Sequence, residues 1–377
     1  MSVQKPSARA AGTERHKPSP LWKDPDFWQR TGLTYAIAIA GALIAAQAGL
    51  PLAWMLGPFF ACGAASGLGL RLRSVPFSRE FAQITIGLGI GLQFSSATLV
   101  ATLLLTPAML AATLYVIGYT MVAAALFRPL AGVNRPTAFF ATAAGGVADM
   151  APIARDRGGD AASVGIVHAL RVSMTVAIVP LLVVSFGETG RVAGGAANAG
   201  SSAMWLLPIY AGGIAFAWLV KRTRLPNPWL VAPMFFGIVL GASGTLTLAI
   251  PPLGILGAQL LLGTWLGCQF RKDLLLGLPR VAMAGIAVSL FMIIAAFAGA
   301  LVLSAVTPLS LATSFLALAP AAVTEMVITA KTMHLDPEVI TGFHIIRIFV
   351  ICSTALLMYR IYCGIGRVLG RLAERRS

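Results

Sequence analysis

The sequence predicts an all-α polytopic membrane protein, with about ten transmembrane helices in two inverted five-helix repeats. Each repeat carries a broken or re-entrant segment. Three observations predict this. The 377 residues are 58% hydrophobic and only 11% charged, against about 25% charged in a soluble chain. Apolar runs of spanning length follow one another along the chain. Polar landmarks of the first half return in the second at a fixed offset.

The elements follow in order. Residues 1–30 are polar, hold six Lys/Arg and read as a disordered basic cytoplasmic tail. A span needs about 20 apolar residues. Such runs lie at 31–49, 52–70, 80–104, 107–127 and 161–186, which make up membrane repeat 1 over 31–186. They recur at 204–220, 229–250, 253–270, 281–306 and 338–359, which make up membrane repeat 2 over 204–359. A Gly/Ala/Asn/Ser-rich external linker, 187–203, joins the repeats, and 360–377 is a basic cytoplasmic tail. The run 31–49 ends in "AQA", as a cleaved leader does, but Asp24 and Asp26 precede it and it has a counterpart later, so it reads as a retained helix. Two further apolar stretches, 137–154 and 312–333, contain a carboxylate and helix-breaking residues. They read as the interrupted segments.

The duplication is explicit. "LPLAWMLGPFF" from Leu50 is echoed by "LPNPWLVAPMFF" from Leu225, and "AQITIGLGIGLQF" from Ala82 by "AQLLLGTWLGCQF" from Ala258. "TAFFATAAGGVADM" aligns with "TSFLALAPAAVTEM". Gln83, Asp149, His168 and Arg171 therefore fall on Gln259, Glu325, His344 and Arg347, all at an offset of 176 residues. Composition bias cannot place four polar residue types at one shared offset.

Charge gives the orientation. The formal net charge is +15, but the basic residues gather in the tails and in short connections, which is topology information and not a nucleic-acid surface. With the N-tail inside, and with 137–154 and 312–333 dipping in and returning, Arg71, Arg73, Arg79, Arg128, Arg135, Arg155 and Arg157 lie inside. So do Lys221, Arg222, Arg224, Arg271, Lys272 and Arg280. Only Arg191 and Lys331 are misplaced. Counting both stretches as full spans gives twelve crossings and strands the clusters at 221–224 and 271–280 outside. Five spans per half is odd, so the halves are inverted, and inverted repeats with broken segments near the midplane mark secondary transporters.

The candidate chemistry sits at the breaks. Gly145-Gly146 can let the backbone leave helical geometry, as can Pro320 in the second copy. A short helix starting near Val147 would aim its N-terminal N–H groups at Asp149 or at an anion. Asp149 and Glu325 are expected at a shared centre; the alternative is that they cap helices or pair with arginines at the interface. His168 and Arg171 share a helix face, as do His344 and Arg347. Each repeat is expected to hold an acid–arginine–histidine cluster, either a structural salt bridge or a proton or ion site with titrating histidines. Gln83, Gln93, Gln259 and Gln269 are candidate hydrogen-bonding groups for substrate, broken backbone or neighbouring helices, and Gly87/Gly91 and Gly263/Gly267 have close-packing spacing. Trp54 and Trp229 read as interface markers. The four cysteines read as packing residues.

With four histidines and no His-x-x-x-His or Cys-x-x-Cys, no metal site is expected. No phosphate loop, dinucleotide fingerprint or nucleophile elbow occurs, so neither a cofactor nor an enzyme activity is expected.

The paired elements "GGVADM…HALR" and "AAVTEM…HIIR", with "LPLAWMLGPFF", "LPNPWLVAPMFF" and "GLQF", resemble the duplicated bacterial AbrB-type membrane family over roughly residues 31–360. The family's usual element is close to Pro-Gly-Gly-Leu-x-Glu-Met. The first copy here has Asp149 for the glutamate, and the second has Ala321-Ala322 for the glycines, so a less sharp second break is expected. The resemblance implies the labels carried by the family, a regulator of gene expression or an ammonia monooxygenase. The layout is also similar to that of bile-acid and cation/proton antiporter carriers, a fold-level analogy.

The expectation is a multi-pass bacterial inner-membrane protein with both termini cytoplasmic. It would be a secondary transporter of a small solute, with an anion among the candidates, coupled to protons or sodium through Asp149 and Glu325. The bilayer and a small molecule or ion are its expected partners. Nucleic acid is not expected, and a homo-oligomer is allowed. The alternative is a membrane-embedded regulator acting through a partner, with a monooxygenase last.

Overall fold

A computed structural model describes residues 25–186, 203–223, 225, 227–243, 249–270, 272 and 277–374. Among these residues the chain forms fifteen α-helices, one short 3-10 turn and no strand. The first half holds α1 (Pro25–Gln47), α2 (Ala53–Gly67), α3 (Ser78–Gly91), α4 (Ser96–Leu104), α5 (Thr106–Ala131), α6 (Arg135–Thr142), α7 (Val147–Asp156) and α8 (Ala161–Ser185). The second holds α9 (Leu206–Val220), α10 (Pro228–Ala242), α11 (Pro252–Gly267), α12 (Pro279–Val306), α13 (Leu311–Leu318), α14 (Val323–Thr332) and α15 (Pro337–Glu374).

Four helices, α5, α8, α12 and α15, are long and apolar enough to cross a membrane, and a fifth crossing results if α3 and α4 count as one. The expected straight span over 80–104 is not one helix. α3 and α4 meet at 98°, because the chain leaves the helix after Gly91 and restarts where the Ser95 side chain caps Thr98. α9, α10 and α11 are shorter apolar helices. α1 begins at Pro25, inside the stretch expected to be tail, and α15 runs through the expected C-terminal tail to Glu374. Most of the linker 187–203 lies outside the described residues, as do residues 1–24.

The outward faces are apolar. Ile44, Leu104, Leu207, Val239, Met283 and Val302 are all exposed, a burden compatible with a lipid surround and costly in water. Cations stack on aromatic rings near helix ends, Arg79 over Trp265 at 4.6 Å and Arg222 over Trp218 at 4.7 Å. Several long apolar helices with such faces are compatible with a multi-pass membrane protein.

Packing repeats with the sequence. α3 packs on α10 and α2 on α11, so each repeat lends a helix to the other. The glycine spacing explains the contact. A methyl group added at Gly87 would meet the carbonyl of Leu230, and one at Gly91 the carbonyl of Met234. In the other copy, Gly263 faces the carbonyl of Met55, and Gly267 that of Phe59. Backbones this close exclude any side chain. Left-handed residues recur as well. Leu52 (φ 48°) and Asn227 (φ 52°) precede α2 and α10, and Gly158 (φ 75°) corresponds to His334 (φ 55°).

The glycine contacts are testable. Gly91→Leu or Gly263→Val should cost about 1–3 kcal/mol through overpacking, read as a lower melting temperature of the purified protein in detergent. Gly118→Ala and Gly257→Ala, which meet nothing within 4 Å, should leave it unchanged or slightly higher.

Candidate functional site

The two interrupted segments are the centre of the site. α6 starts where Asn134 Oδ1 caps the Thr137 N–H at 3.0 Å, and α13 where Ser310 Oγ caps the Thr313 N–H at 3.1 Å. Both helices stop after eight residues. The chain is extended at Ala143 (φ −53°, ψ 134°) and Gly146 (φ −78°, ψ 145°), then restarts as α7. The second break matches it at Ala319 (φ −56°, ψ 137°) and Ala322 (φ −75°, ψ 154°). The two breaks are equally sharp, contrary to the expectation from the missing glycines. Extended dihedrals are open to any residue, so glycine is not needed here for its φ. Space does not demand it either: a methyl at Gly145 would meet Met150 Cε, the far end of a flexible side chain, at 2.7 Å, and the second copy carries Ala321 and Met326 at these two positions.

The breaks expose backbone carbonyls inside the bundle, and the buried arginines take them up. Arg171 Nη1 donates to Ala143 O at 2.6 Å, and its Nη2 to Gly145 O at 3.3 Å. Arg347 Nη1 donates to Ala319 O at 2.8 Å and its Nη2 to Ala321 O at 2.8 Å. His168 and His344 complete each brace. Their Nε2 atoms lie 2.9 Å from the carbonyls of Phe140 and Leu316. Their Nδ1 atoms lie 3.2 and 2.7 Å from Nη2 of Arg171 and Arg347. A carbonyl can only accept and a guanidinium can only donate. Each histidine is thereby fixed as the neutral Nε2–H tautomer, with no ring nitrogen free for the proton-relay role expected of it.

The expected salt bridge is absent. Among the described residues neither Arg171 nor Arg347 pairs with Asp149 or Glu325. The reason is positional: the acids stand in the first turns of α7 and α14, beyond the carbonyls that occupy the guanidinium forks. Glu325 is 3% exposed, with Oε2 lacking any partner. Asp149 is half-buried, its Oδ2 4.0 Å from Cys352 Sγ, too long for a strong hydrogen bond.

One cavity of about 660 Å³ joins these groups. Gly145, Gly146, Asp149, His168 and Arg171 line it from the first repeat, and Ala321, Ala322, Glu325 and Arg347 from the second. Gln83, Gln269, Trp229 and Trp265 line it too. His344 and Gln259 do not: His344 is held behind Arg347, and Gln259 Nε2 reaches Thr332 Oγ1 at 3.2 Å, tying α11 to the end of α14. Gln93 points away and is exposed.

Sequence reasoning missed Arg79 and Trp265, and took Trp229 for an interface marker. Their apolar or basic surroundings gave no periodic signal; only the crossing of α3, α10 and α11 brings them to the cavity. Lys331, an exception to the charge pattern, lies in the last turn of α14, and its Nζ reaches Gly89 O at 3.4 Å across the bundle. Outside the cavity, Asp160 caps α8 through Ala162 and Ser163. Burial pushes its carboxyl up, but the hydrogen bonds from Ser163 and Ala162 outweigh this and hold it below its ordinary value. Among the described residues no cluster of His, Cys, Asp or Glu is arranged to hold a metal ion.

Removing the brace should destabilise the fold. Arg347→Met strips the donors from Ala319 O and Ala321 O, at about 1–3 kcal/mol for each buried group left unpaired. Arg347→Lys should recover only part of this, because an ammonium is not a planar fork. Thermal unfolding in detergent checks both; equal stability of Arg347→Met and the parent would show that the fork holds nothing.

The comparisons with known proteins agree with the motifs at the breaks. The family model described as Transition state regulatory protein AbrB matches residues 54–362. The chain is 26% identical over 357 residues to "Uncharacterized protein YhjN" of Bacillus subtilis (strain 168), covering 86% of this chain and 91% of that one. It is 26% identical over 337 residues to "Putative regulator AbrB" of Escherichia coli (strain K12), covering 87% of this chain and 93% of that one. No solved structure matches. The matched stretch takes in both interrupted segments and both arginine–histidine braces, and the chain belongs to the AbrB family of helical membrane-type proteins.

Proposed function

We propose that the protein is a secondary transporter of a small solute, set in the bacterial inner membrane with both termini cytoplasmic. One observation carries this reading: a single cavity collects both broken segments and the acids Asp149 and Glu325, neither of which forms a salt bridge among the described residues. Broken helices meeting at a cavity lined by ionisable groups are the usual architecture of a carrier's binding site. In this reading α1, α2, α3, α5 and α8 cross the membrane in the first half, and α9, α10, α11, α12 and α15 in the second. The reciprocal packing of α2 on α11 and α3 on α10 supports a pseudo-two-fold relation. The basic residues on the connections support the inverted sense.

The cavity extends to Arg79, Asn227 and Phe270, at helix ends that the charge pattern puts on the cytoplasmic side. At the opposite end Lys331, Ile250 and Ile255 crowd Gly89. Lining residues at one end and close packing around Gly89 at the other support an alternating-access reading. Asp149 and Glu325 carry the coupling proton or sodium ion, since neither forms a salt bridge among the described residues, although Arg79 acts on Glu325 electrostatically. Arg171 and Arg347 with His168 and His344 hold the breaks in shape.

A second reading rests on the names. One relative is named a regulator, as is the family model, so a membrane-embedded regulator acting through a partner is the alternative. A monooxygenase is the weakest reading, because His168 and His344 spend both ring nitrogens on their own braces.

Proteoliposome uptake across a solute panel, with and without a pH or sodium gradient, separates these readings. Gradient-driven uptake of at least one solute is expected, reduced about tenfold or more in Asp149→Asn and in Glu325→Gln if each carboxyl carries the coupling ion. Absence of flux for every solute, with both variants behaving as the parent, would sink the transporter and leave the regulator.

A further inference from the structure

The transporter reading leaves open what the cavity holds, and the charges around it decide. Arg171 and Arg347 are 4% and 3% exposed, and both line the cavity. Their fork nitrogens are spent on carbonyls and histidine, which are neutral. Neither meets a carboxylate, and each retains a buried Nε–H with no partner. A buried charge left without a counter-ion is expensive. The lining sets three arginines, Arg79, Arg171 and Arg347, against three carboxyls, Glu80, Asp149 and Glu325, so it becomes positive once a carboxyl is neutralised by a proton or cation.

The backbone adds to this. α7 and α14 are ten residues each and begin at the breaks, so their N-termini face the same space. The first-turn N–H groups of a helix have no intrahelical acceptor, and the positive end of each macrodipole adds to the field. Val147, Ala148 and Val323 carry such groups at the cavity wall. Arg79 and Glu80 line the same cavity side by side in the chain.

Resting on the reading that this cavity is a carrier's site, we infer that it binds a small anion, a carboxylate or oxyanion, between the two breaks. Its charge balances Arg171 and Arg347, and its oxygens accept from the first-turn N–H groups of α7 and α14. Asp149 and Glu325 share the wall but bond neither guanidinium. They oppose the anion when ionised and admit it when neutralised by a proton or cation. Anion entry is thereby tied to the ion that the proposed transport cycle consumes.

The experiment uses the full-length protein purified in detergent, titrated with sodium acetate, sodium succinate and sodium sulfate, against glycerol and sodium chloride as neutral and sodium-matched controls. The readouts are melting temperature and intrinsic tryptophan fluorescence, to which Trp229 and Trp265 at the cavity contribute among seven tryptophans. A saturable response to at least one of the three test anions and to neither control is expected. Arg347→Gln should weaken it about tenfold or more, the scale set by losing a buried cationic partner. Asp149 lies on the half-exposed side of the break, so Asp149→Asn should fold and, by removing a negative charge from the wall, should tighten the anion about threefold or more. Should Arg347→Gln fail to fold, the gain in Asp149→Asn still decides. No saturable response to any of the three test anions, or weaker anion binding in Asp149→Asn, overturns the site. Flux of a neutral solute without anion binding overturns it too but leaves the transporter standing. Anion binding without flux in any gradient upholds the site and removes the transporter.

Discussion

The structure depends on one interaction, a buried guanidinium gripping the carbonyls of an interrupted helix. A helix that stops in the middle of an apolar bundle leaves its last carbonyls without acceptable partners, and lipid or packed side chains cannot supply any. Arg171 and Arg347 supply them in forks, to Ala143 and Gly145 and to Ala319 and Ala321. The histidines behind them turn the fork into a rigid brace by fixing its orientation. The break is thus a specified conformation and not a defect.

That solution has a consequence for charge. A lysine or arginine paired with an acid would have been electrically silent. Pairing with carbonyls satisfies hydrogen bonds while leaving the positive charge in place. The acids in the next turn likewise form no salt bridge among the described residues. The cavity therefore holds separated charges of both signs in an apolar surround, where fields are weakly screened. A site of this kind responds strongly to any ion that enters it, which suits coupling between two solutes and equally suits sensing one.

The two repeats do the same thing with different means. The brace, the caps of α6 and α13, and the left-handed residues at 158 and 334 are superposable in pattern. The differences fall on the acids and what surrounds them. Asp149 is half-buried beside glycines, whereas Glu325 is buried beside alanines. Lys331 and its counterpart Arg155 both lie in the last turns of their helices, and Lys331 reaches across to Gly89. A symmetric scaffold with an asymmetric centre has two inequivalent ends.

The sequence by itself determined the helical class, the duplication, the positions of both breaks and the four polar residues that repeat at one offset. Each of these is written in local chemistry: apolar run length, capping residues, glycine and proline, and a shared spacing. It did not determine what Arg171 and Arg347 bond to. From the chain alone an acid was the natural partner for a buried arginine. The carbonyls of the breaks win because α6 and α13 end beside α8 and α15, a proximity set only when the helices pack. The kink at 92–95 was hidden for the same reason, since an apolar run reads as one helix whether or not it bends. The cavity belongs wholly to tertiary structure. Trp229, Trp265 and Arg79 reach it from three helices whose crossing is dictated by backbone contact at glycines, and no local pattern records which surfaces will meet.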